Sequence, residues 1–300
     1  MNQNPSVAAS LLPDAAQQSY PESALYVLAT PIGNACDITL RALHVLALAD
    51  VIACEDTRNT SQLLQRYGMT KPLLAAHQHN EREAAGKIVE RLQQGQRVVL
   101  VSDAGTPAVS DPGARVVDAV RAAGLQVVPL PGASAAVTAL SAAGLTDNAF
   151  HFAGFLPTKA RQRDTALQAL AAMQATLVFY EAPHRIVETV QAMLAVFGPA
   201  RRVVLARELT KLFEEIHRCP LAEAPDWLAQ DAHRQRGEFV VLVEGAPAAE
   251  GEDAEGERIL RILLAELPVK QAASLAAQIT GQKKNALYDL ALRLRQDGDA

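Results

Sequence analysis

The residues with the clearest chemical potential lie in one loop, SDAGTPAVSDPG, at positions 102–113. The apolar run RVVLV before it predicts a buried strand, and the spacing in GARVVDAVRAAG after it predicts a helix. The loop carries two carboxylates, two glycines and two prolines, and no lysine or arginine occurs before Arg115. Neither GxxxxGK[ST] nor a strand-following GxGxxG is present, so the loop indicates a ligand other than a phosphate.

Carboxylates and hydroxyls on a stiff loop suit a cationic ligand that also carries hydroxyl groups. S-adenosylmethionine has this chemistry, because it combines a sulfonium, an ammonium and a ribose. The loop therefore predicts a site for a ligand of this class, and we expect its first half, from Asp103 to Pro107, to make the contact.

Two further loops share the proline–glycine character, TPIGN at 30–34 and PGASAA at 131–136. Loops that follow parallel strands emerge at one edge of the sheet, where α/β proteins bind ligands. Tight turns without a ligand are the alternative for each loop alone. We also expect Asp37, Asp111 and Ser134 to cap the helices that follow them. The predicted cofactor contacts are Pro31, Asp103, Ala104, Gly105, Thr106, Pro107, Ser134 and Ala135.

The elements that position these loops alternate between apolar runs and helical patterns. ALYVLAT, DVIACE, KPLLAAH, RVVLVSD and LQVVPLP predict strands separated by helices, which is typical of a parallel sheet covered on both faces. From residue 131 the crossover pattern becomes irregular, which favours a mixed sheet. The fold class is therefore α/β: a parallel-sheet N-terminal domain and a mixed-sheet second domain, followed by a small C-terminal helical module.

Composition and charge place the domain boundaries. We predict a disordered tail over 1–23, α/β domains over 24–130 and 131–245, an acidic linker over 246–257 and a helical module over 258–300. The net charge of −5 would argue against nucleic acid, but the linker alone holds five acids and no base. Residues 258–300 carry seven basic and four acidic side chains, so a local basic face remains possible.

Three cysteines without CxxC or Cys/His spacing favour a reduced cytoplasm, and we expect no bound metal. No apolar run reaches the ~20 residues of a membrane span, and no signal peptide is recognisable. We therefore expect a cytoplasmic protein with no membrane partner.

Several motifs in chain order resemble the tetrapyrrole methylase superfamily: LYVLATPIGN, ACEDTR, VSDAGTP, PLPGASAAVTAL, GFLP, FYEAPHR, ARELTK and GEFVVLVEG. Within it they are similar to bacterial enzymes that methylate a cytidine ribose 2′-hydroxyl in small-subunit ribosomal RNA, and AELPVK and KKNALYDLAL also resemble that branch. The resemblance implies a cleft between the two α/β domains with S-adenosylmethionine bound in it as the cofactor, small-subunit (16S) ribosomal RNA or the 30S particle as partner, and a homodimer.

Methyl transfer to a hydroxyl needs alignment of the reacting atoms and a group that accepts the hydroxyl proton. Glu181, at a strand end, and Lys211, if burial depresses its pKa, are the predicted catalytic residues. The alternative for the second is a structural ion pair between Glu208 and Lys211. His184 is better explained as a capping or core histidine.

Polar residues near the same edge are predicted to contact RNA. Asp56 is expected to cap a helix, which leaves Arg58 available for a phosphate, and HQHNER at 77–82 suits RNA better than a metal ion. The basic turn before the last helix resembles the leading turn of a helix-turn-helix; a solvated helix end is the alternative. The predicted RNA contacts are Asn34, Arg58, His77, Asn80, Arg185, Lys283, Lys284 and Asn285.

Two other functions remain open at this level. A methylase acting on a small tetrapyrrole or corrinoid would not need the C-terminal module, and a non-catalytic RNA-binding protein would keep the fold without methyl transfer.

Overall fold

A computed structural model of the chain describes residues 13–247 and 250–298. The described residues form two compact units. One holds two sheets and comprises the chain up to Ala171 together with Ala175–Glu244; the other comprises Ala172–Gln174 and the chain from Gly245. In the described part of the chain, no helix has the length and apolarity needed to cross a membrane.

The first sheet is fully parallel, with the strand order β3-β2-β4-β1-β5. Its strands are β1 (Ala24–Leu28), β2 (Val51–Cys54), β3 (Leu73–Ala75), β4 (Val98–Leu100) and β5 (Gln126–Leu130). Its helices are α1 (Leu40–Leu48), α2 (Thr57–Arg66), α3 (Glu81–Gln93) and α4 (Ala114–Ala122). Apolar residues of α1 and α2 pack on one face and those of α3 and α4 on the other, so both faces are covered as predicted.

The second sheet is mixed, with the order β6-β7-β10-β8-β9, which confirms the expectation from its irregular pattern. Strands β6 and β7 are parallel, whereas β10 runs antiparallel to β7 and β8, and β9 antiparallel to β8. The strands are β6 (Phe150–Phe155), β7 (Thr176–Glu181), β8 (Arg202–Arg207), β9 (Glu215–Pro220) and β10 (Phe239–Val243). The helices are α5 (Ala135–Ala143), α6 (Ala160–Leu170), α7 (Ile186–Phe197) and α8 (Ala224–Gln230). Small residues of α5 let this helix pack closely on the sheet.

The second unit contains three helices, α9 (Glu250–Glu266), α10 (Val269–Thr280) and α11 (Lys284–Gly298). Leu260, Leu287 and the alanines of α10 form its core. Helix α9 begins inside the segment predicted as an acidic linker, because glutamate and alanine are good helix formers. Residues 248–249 of that segment lie outside the described residues.

Residues 1–12 of the predicted tail also lie outside the described residues. The part from 13 to 23 packs against the first sheet. The Tyr20 hydroxyl donates to the carbonyl oxygen of Ala15 at 2.8 Å, and its ring centroid lies 6.5 Å from that of Tyr26. Arg97 Nε donates to the Tyr20 carbonyl oxygen at 3.1 Å. Tyr20 thus anchors a segment whose sequence shows neither helical nor strand periodicity.

Two of the predicted helix caps are wrong. Helix α1 is capped by Thr39, whose Oγ1 accepts from the Ala42 N–H at 3.1 Å, and not by Asp37. Helix α4 begins after Gly113, which has no side-chain cap, so Asp111 does not cap it. Asp56 does cap α2, because its Oδ1 accepts from the Arg58 N–H at 2.7 Å. Ser134 occupies the cap position of α5 but makes no capping hydrogen bond.

The start of α4 is held by Glu81, from the first turn of α3. Its Oε1 accepts from the Gly113 N–H at 2.8 Å and from the Arg115 N–H at 3.1 Å, and the residue is only 7% exposed. A carboxylate at a helix N-terminus is stabilised both by these donors and by the helix dipole. Glu81 therefore fixes the end of the loop SDAGTPAVSDPG.

Replacement of Glu81 by alanine should lower the free energy of unfolding by about 2 kcal/mol, because the buried Gly113 N–H and the partly buried Arg115 N–H lose a charged acceptor. Glu81→Gln should lose less, since one oxygen remains. Glu83→Ala is the control: its carboxylate pairs with Lys87 on the surface of the same helix and should contribute less than about 0.5 kcal/mol. Urea denaturation of the three variants would refute this role for Glu81 if Glu81→Ala and Glu83→Ala lost the same stability.

Candidate active site

A cavity of about 320 Å³ lies between the carboxyl edge of the first sheet and the second sheet. Loops after β1, β4 and β5 form one wall, and the ends of β6, β7, β8 and β10 form the other. The first wall consists of Ile32, Ala104, Gly105, Thr106, Val109, Ser110, Asp111, Ser134 and Ala135. The second consists of Phe155, Tyr180, Glu181, Ala182, Pro183, Leu209, Lys211, Glu238, Phe239 and Val240.

The three proline–glycine loops meet at this cavity. Thr30 and Gly105 form an antiparallel bridge with N···O distances of 2.9 and 3.0 Å, and Thr106 Oγ1 donates to the Ala133 carbonyl oxygen at 3.0 Å. Gly105 has a φ of 79°, and a Cβ there would lie 3.5 Å from Ile32 Cγ2. A side chain at this position would be strained and would project toward the neighbouring loop.

Five of the eight predicted cofactor contacts line the cavity: Ala104, Gly105, Thr106, Ser134 and Ala135. The other three, Pro31, Asp103 and Pro107, are not among its lining residues. Asp103 instead joins its loop to α2, because its oxygens accept from the Asp56 N–H at 3.2 Å and from Asn59 Nδ2 at 2.9 Å. Its carboxylate is therefore occupied in positioning the loop.

Asp111 lines the cavity rather than capping a helix. Burial, above all, and the carboxylates of Glu55 and Asp103 raise the pKa of Asp111 to about 6, against a hydrogen bond with the Ser102 side chain, which lowers it. The loop reaches this position through left-handed backbone at Ala108 and Ser110, with φ of 65° and 63°. Such conformations cost ~1–3 kcal/mol each and are frequent at functional sites. The sequence did not reveal this role of Asp111, because Asp-Pro before a helix is also a common helix-capping motif.

Tyr180 was not predicted from the sequence. Its hydroxyl oxygen accepts from the Ala136 N–H at 3.3 Å and so serves the first turn of α5, while burial raises the pKa of the phenol. Its ring makes edge contacts with Phe152 and Phe155, at centroid distances of 4.9 and 5.6 Å. Tyr180 therefore connects the two walls of the cavity.

Glu181 is held by its neighbours on all sides. Its Oε2 accepts from the Thr189 hydroxyl at 2.7 Å, and its Oε1 accepts from the Ala182 N–H at 2.8 Å. Arg185 Nε lies 3.3 Å from Oε1, and the glutamate side chain has no exposed surface. A carboxylate in these contacts is poorly placed to take a proton from a substrate, so the geometry argues against the predicted catalytic role of Glu181.

Arg185 is engaged in the same network. Its Nη2 donates to the carbonyl oxygens of Leu156 at 2.7 Å and Pro157 at 3.3 Å. With its side chain 14% exposed, it fixes the segment after β6. The prediction that Arg185 contacts RNA is therefore not supported by its placement.

Lys211 lines the cavity but is paired with Glu208 at 2.8 Å and Glu238 at 2.9 Å. Burial lowers the pKa of Lys211, but hydrogen bonds and charges from the two glutamates outweigh it, and the net direction is upward. The prediction of a depressed pKa is wrong, because the fold brings Glu238, 27 residues later in the chain, into contact with Lys211. Lys211 is therefore a protonated cation in a structural pair.

The four predicted RNA contacts near the first sheet divide into two groups. Arg58 is exposed, and its side chain has no ion pair among the described residues. Asn34 is exposed too, with its Oδ1 accepting from the Cys36 N–H at 3.0 Å. Asn80 closes its own loop, accepting from the His77 N–H at 2.8 Å and donating to the Ala75 carbonyl oxygen at 3.0 Å. Arg58 and Asn34 thus remain accessible, whereas Asn80 shapes the backbone around the half-buried His77.

In the helical unit, Gly281 ends α10 in a left-handed conformation and α11 begins at Lys284. Lys283, Lys284 and Asn285 are exposed at this turn. Within this unit the basic turn has the geometry that the sequence predicts.

A family model described as "Tetrapyrrole (Corrin/Porphyrin) Methylases" matches residues 24–225, and one described as "RsmI C-terminal HTH domain" matches residues 250–295. The "Ribosomal RNA small subunit methyltransferase I" of Pseudomonas aeruginosa is 55% identical over 272 residues, 90% of this chain and 96% of the relative. The protein of the same name from Escherichia coli O157:H7 is 52% identical, over 89% and 94% of the two chains.

Solved structures share the fold at lower identity. The methyltransferase CobJ superposes with a TM-score of 0.57 at 23% identity, covering 74% of this chain and 94% of that one. The uroporphyrin-III C-methyltransferase of Thermus thermophilus, complexed with S-adenosylhomocysteine, gives 0.52 at 18% identity over 73% and 96%. The family model that matches residues 24–225 shows that the chain belongs to the tetrapyrrole (corrin/porphyrin) methylase family.

Proposed function

We propose that this protein transfers a methyl group from S-adenosylmethionine to the ribose 2′-hydroxyl of a cytidine in small-subunit (16S) ribosomal RNA. The observation that carries the proposal is the cavity between the two sheets, whose wall combines several hydroxyls with the carboxyl group of Asp111, which has no ion pair among the described residues. The names of relatives about half identical over nearly the whole chain support ribosomal RNA as the substrate class. They do not favour a small tetrapyrrole as substrate.

The polar and charged groups that line the cavity fit S-adenosylmethionine. Lys211, the one cation among the lining residues, is neutralised by two glutamates, so the wall offers little to a phosphate. Asp111 has a pKa raised to about 6, chiefly by burial, and a nearby positive charge would favour its ionised form. Thr106, Ser110 and Ser134 supply hydroxyls for ribose or amino-acid groups. Gly105 lets its loop pack closely against Ile32 and Ala133 of the two neighbouring loops.

S-adenosylmethionine, when bound, supplies an electrophilic methyl group. The remaining task of the protein is to align the nucleophilic hydroxyl and to accept its proton. We assign proton acceptance to Asp111, because it lines the cavity and has a pKa close to neutral. Glu181 and Lys211 then act as positioning residues, which hold Arg185 and the loop after β8 respectively.

The helical unit would supply RNA contacts through its basic turn, and Arg58, Asn34 and His77 would supply others beside the cleft. An RNA of the 30S particle as partner implies a cytoplasmic enzyme. We further propose a homodimer, which the family resemblance implies. Leu212 and Phe213, exposed to 89% and 67%, are apolar residues that a second copy would cover.

The direct test incubates the protein with labelled S-adenosylmethionine and 30S particles from cells that lack it, followed by mass mapping of the nucleosides. We expect one methylated cytidine, modified on its ribose. Transfer to a tetrapyrrole precursor and not to RNA, or cofactor binding without any transfer, would overturn the proposal.

Replacement of Gly105 by valine should weaken S-adenosylmethionine binding by about two orders of magnitude, since its side chain and the strained backbone would displace the wall. Gly95→Val is the matched control, because Gly95 has a φ of 86° but a Cβ added there would meet nothing within 4 Å. Calorimetry should show normal affinity for the control. Unchanged affinity in Gly105→Val would place the cofactor elsewhere.

Asp111→Asn should reduce turnover by about 10²- to 10⁴-fold, as expected for loss of a proton acceptor. In the wild type, kcat/KM should rise with pH through about 6, because only the ionised carboxylate accepts a proton. Glu55→Gln should move this rise to lower pH, since the Glu55 carboxylate raises the pKa of Asp111. A rise that stays near pH 6 in Asp111→Asn would exclude Asp111 as the acceptor.

The double variant Lys283→Glu, Lys284→Glu should bind ribosomal RNA more weakly while its affinity for S-adenosylmethionine stays normal. Glutamates suit a helix N-terminus, so α11 should remain folded. Arg293→Glu with Arg295→Glu makes the same charge change in the last turns of α11. Filter binding at several salt concentrations would contradict an RNA-binding turn if both double variants lost equal affinity.

A further inference from the structure

We propose that the segment Phe155–Arg161, here called the β6–α6 platform, binds single-stranded RNA, with Phe155 stacking on the target base and Lys159 and Arg161 contacting flanking phosphates. The inference rests on the proposed function and assigns RNA contacts to residues beside the cavity itself. It is carried by an exposed aromatic ring on the cavity wall, by two cations after it that have no ion pair among the described residues, and by a buried network that fixes the segment.

Phe155 is an unusual wall residue. It lines the cavity, yet 56% of it is exposed to solvent, although a phenylalanine gains most by full burial. Its ring rests against Tyr180 at 5.6 Å, so one contact holds it while much of its surface stays free. Proteins that read single-stranded RNA stack unpaired bases on such rings.

The backbone of β6 directs Phe155 to this position. The pairing of β6 with β7 shifts register between Phe152 and Gly154, and Gly154 has a φ of 66°. A Cβ on Gly154 would lie 3.0 Å from Ser110 Oγ, in the loop that carries Asp111. A bulge re-aims the side chain that follows it. The bulge therefore brings Phe155 beside the loop of the proposed proton acceptor.

Hydrogen bonds from Arg185 hold the backbone of the platform in place. Arg185 Nη2 donates to the carbonyl oxygens of Leu156 and Pro157, and Arg185 is itself held by the buried Glu181. Segments that bind only by ordering themselves lose affinity to conformational entropy. The Glu181–Arg185 pair removes that loss for the residues after Phe155.

Two cations follow within six residues of Phe155. Lys159 and Arg161 are both exposed, and neither side chain has an ion pair or hydrogen bond among the described residues. Arg163, in α6, is buried and pairs with Glu188 at 3.3 Å. This ion pair anchors α6 without Lys159 or Arg161. Unpaired cations beside an aromatic platform match the alternating phosphates and bases of a single strand.

Phe155→Ala should lower kcat/KM for methylation of 30S particles by about 5- to 150-fold, the loss expected for one stacked base. Phe155→Trp should retain most of the activity because it keeps a ring, whereas Phe155→Leu should resemble the alanine variant. Calorimetry should give all three the wild-type affinity for S-adenosylmethionine within about twofold. Wild-type methylation by Phe155→Ala, or an equal loss of cofactor affinity, would overturn the role of Phe155.

Lys159→Ala with Arg161→Ala should weaken binding of unmethylated small-subunit RNA and reduce the slope of log affinity against log salt by about 1.4, the value for two phosphates of a single strand. The matched control is Arg66→Ala with Arg121→Ala, which removes two exposed cations from the last turns of α2 and α4, at the opposite edge of the first sheet. Equal slopes in the two double variants would overturn the platform.

Measurement of RNA binding distinguishes a failure of the platform from a failure of the proposed methyl transfer. Wild-type protein that binds the RNA but transfers no methyl group would overturn the proposed reaction, while the binding of the platform variants would still decide the inference. Wild-type protein that binds no ribosomal RNA would overturn both.

Discussion

Two backbone hydrogen bonds between Thr30 and Gly105 are the constraint on which the rest of the cleft depends. They join the loops after β1 and β4, two neighbouring strands of the parallel sheet, just beyond the strand ends. The bridge requires left-handed backbone at Gly105, with its φ of 79°, and it brings Ile32 and Thr106 to the same wall. Thr106 then reaches the third loop through the Ala133 carbonyl oxygen. Three loops distant in sequence thus become one surface.

Most charged groups near this surface serve to hold backbone in place. Glu81 anchors the start of α4, Asp103 ties its loop to α2, and the Glu181–Arg185 pair fixes the segment after β6. This arrangement has a physical reason: loops that carry left-handed residues are strained and need bonded partners to persist. A carboxylate in such contacts gains stability from them and loses availability as a base.

Asp111 differs from these groups because burial brings it near other carboxylates rather than near a cation. The pKa of about 6 follows from that placement and gives the cavity a group that changes charge close to neutral pH. The second wall contributes aromatic surface instead, with Tyr180 bonded to α5 and Phe155 left half exposed. We therefore propose that the first wall binds the cationic cofactor and that the second wall holds a base of the RNA.

The sequence by itself determined the order of strands and helices, the α/β class, the three loops at one edge and the family. These depend on local patterns: β-branched runs, helical periodicity, and the proline and glycine that a turn requires. It also selected Ala104, Gly105 and Thr106 in the first half of the long loop, and these three residues line the cavity.

Only the tertiary structure decided which charged residue remains available. Glu181 and Lys211 look reactive in sequence, but Thr189 in α7 and Glu238 beside β10 bind their side chains. Asp111 resembles a helix cap until Glu81, far earlier in the chain, is seen to hold that helix. Phe155 resembles a core residue until the bulge at Gly154 turns it outward. Side-chain availability depends on burial and long-range pairing, and neither can be read from local sequence.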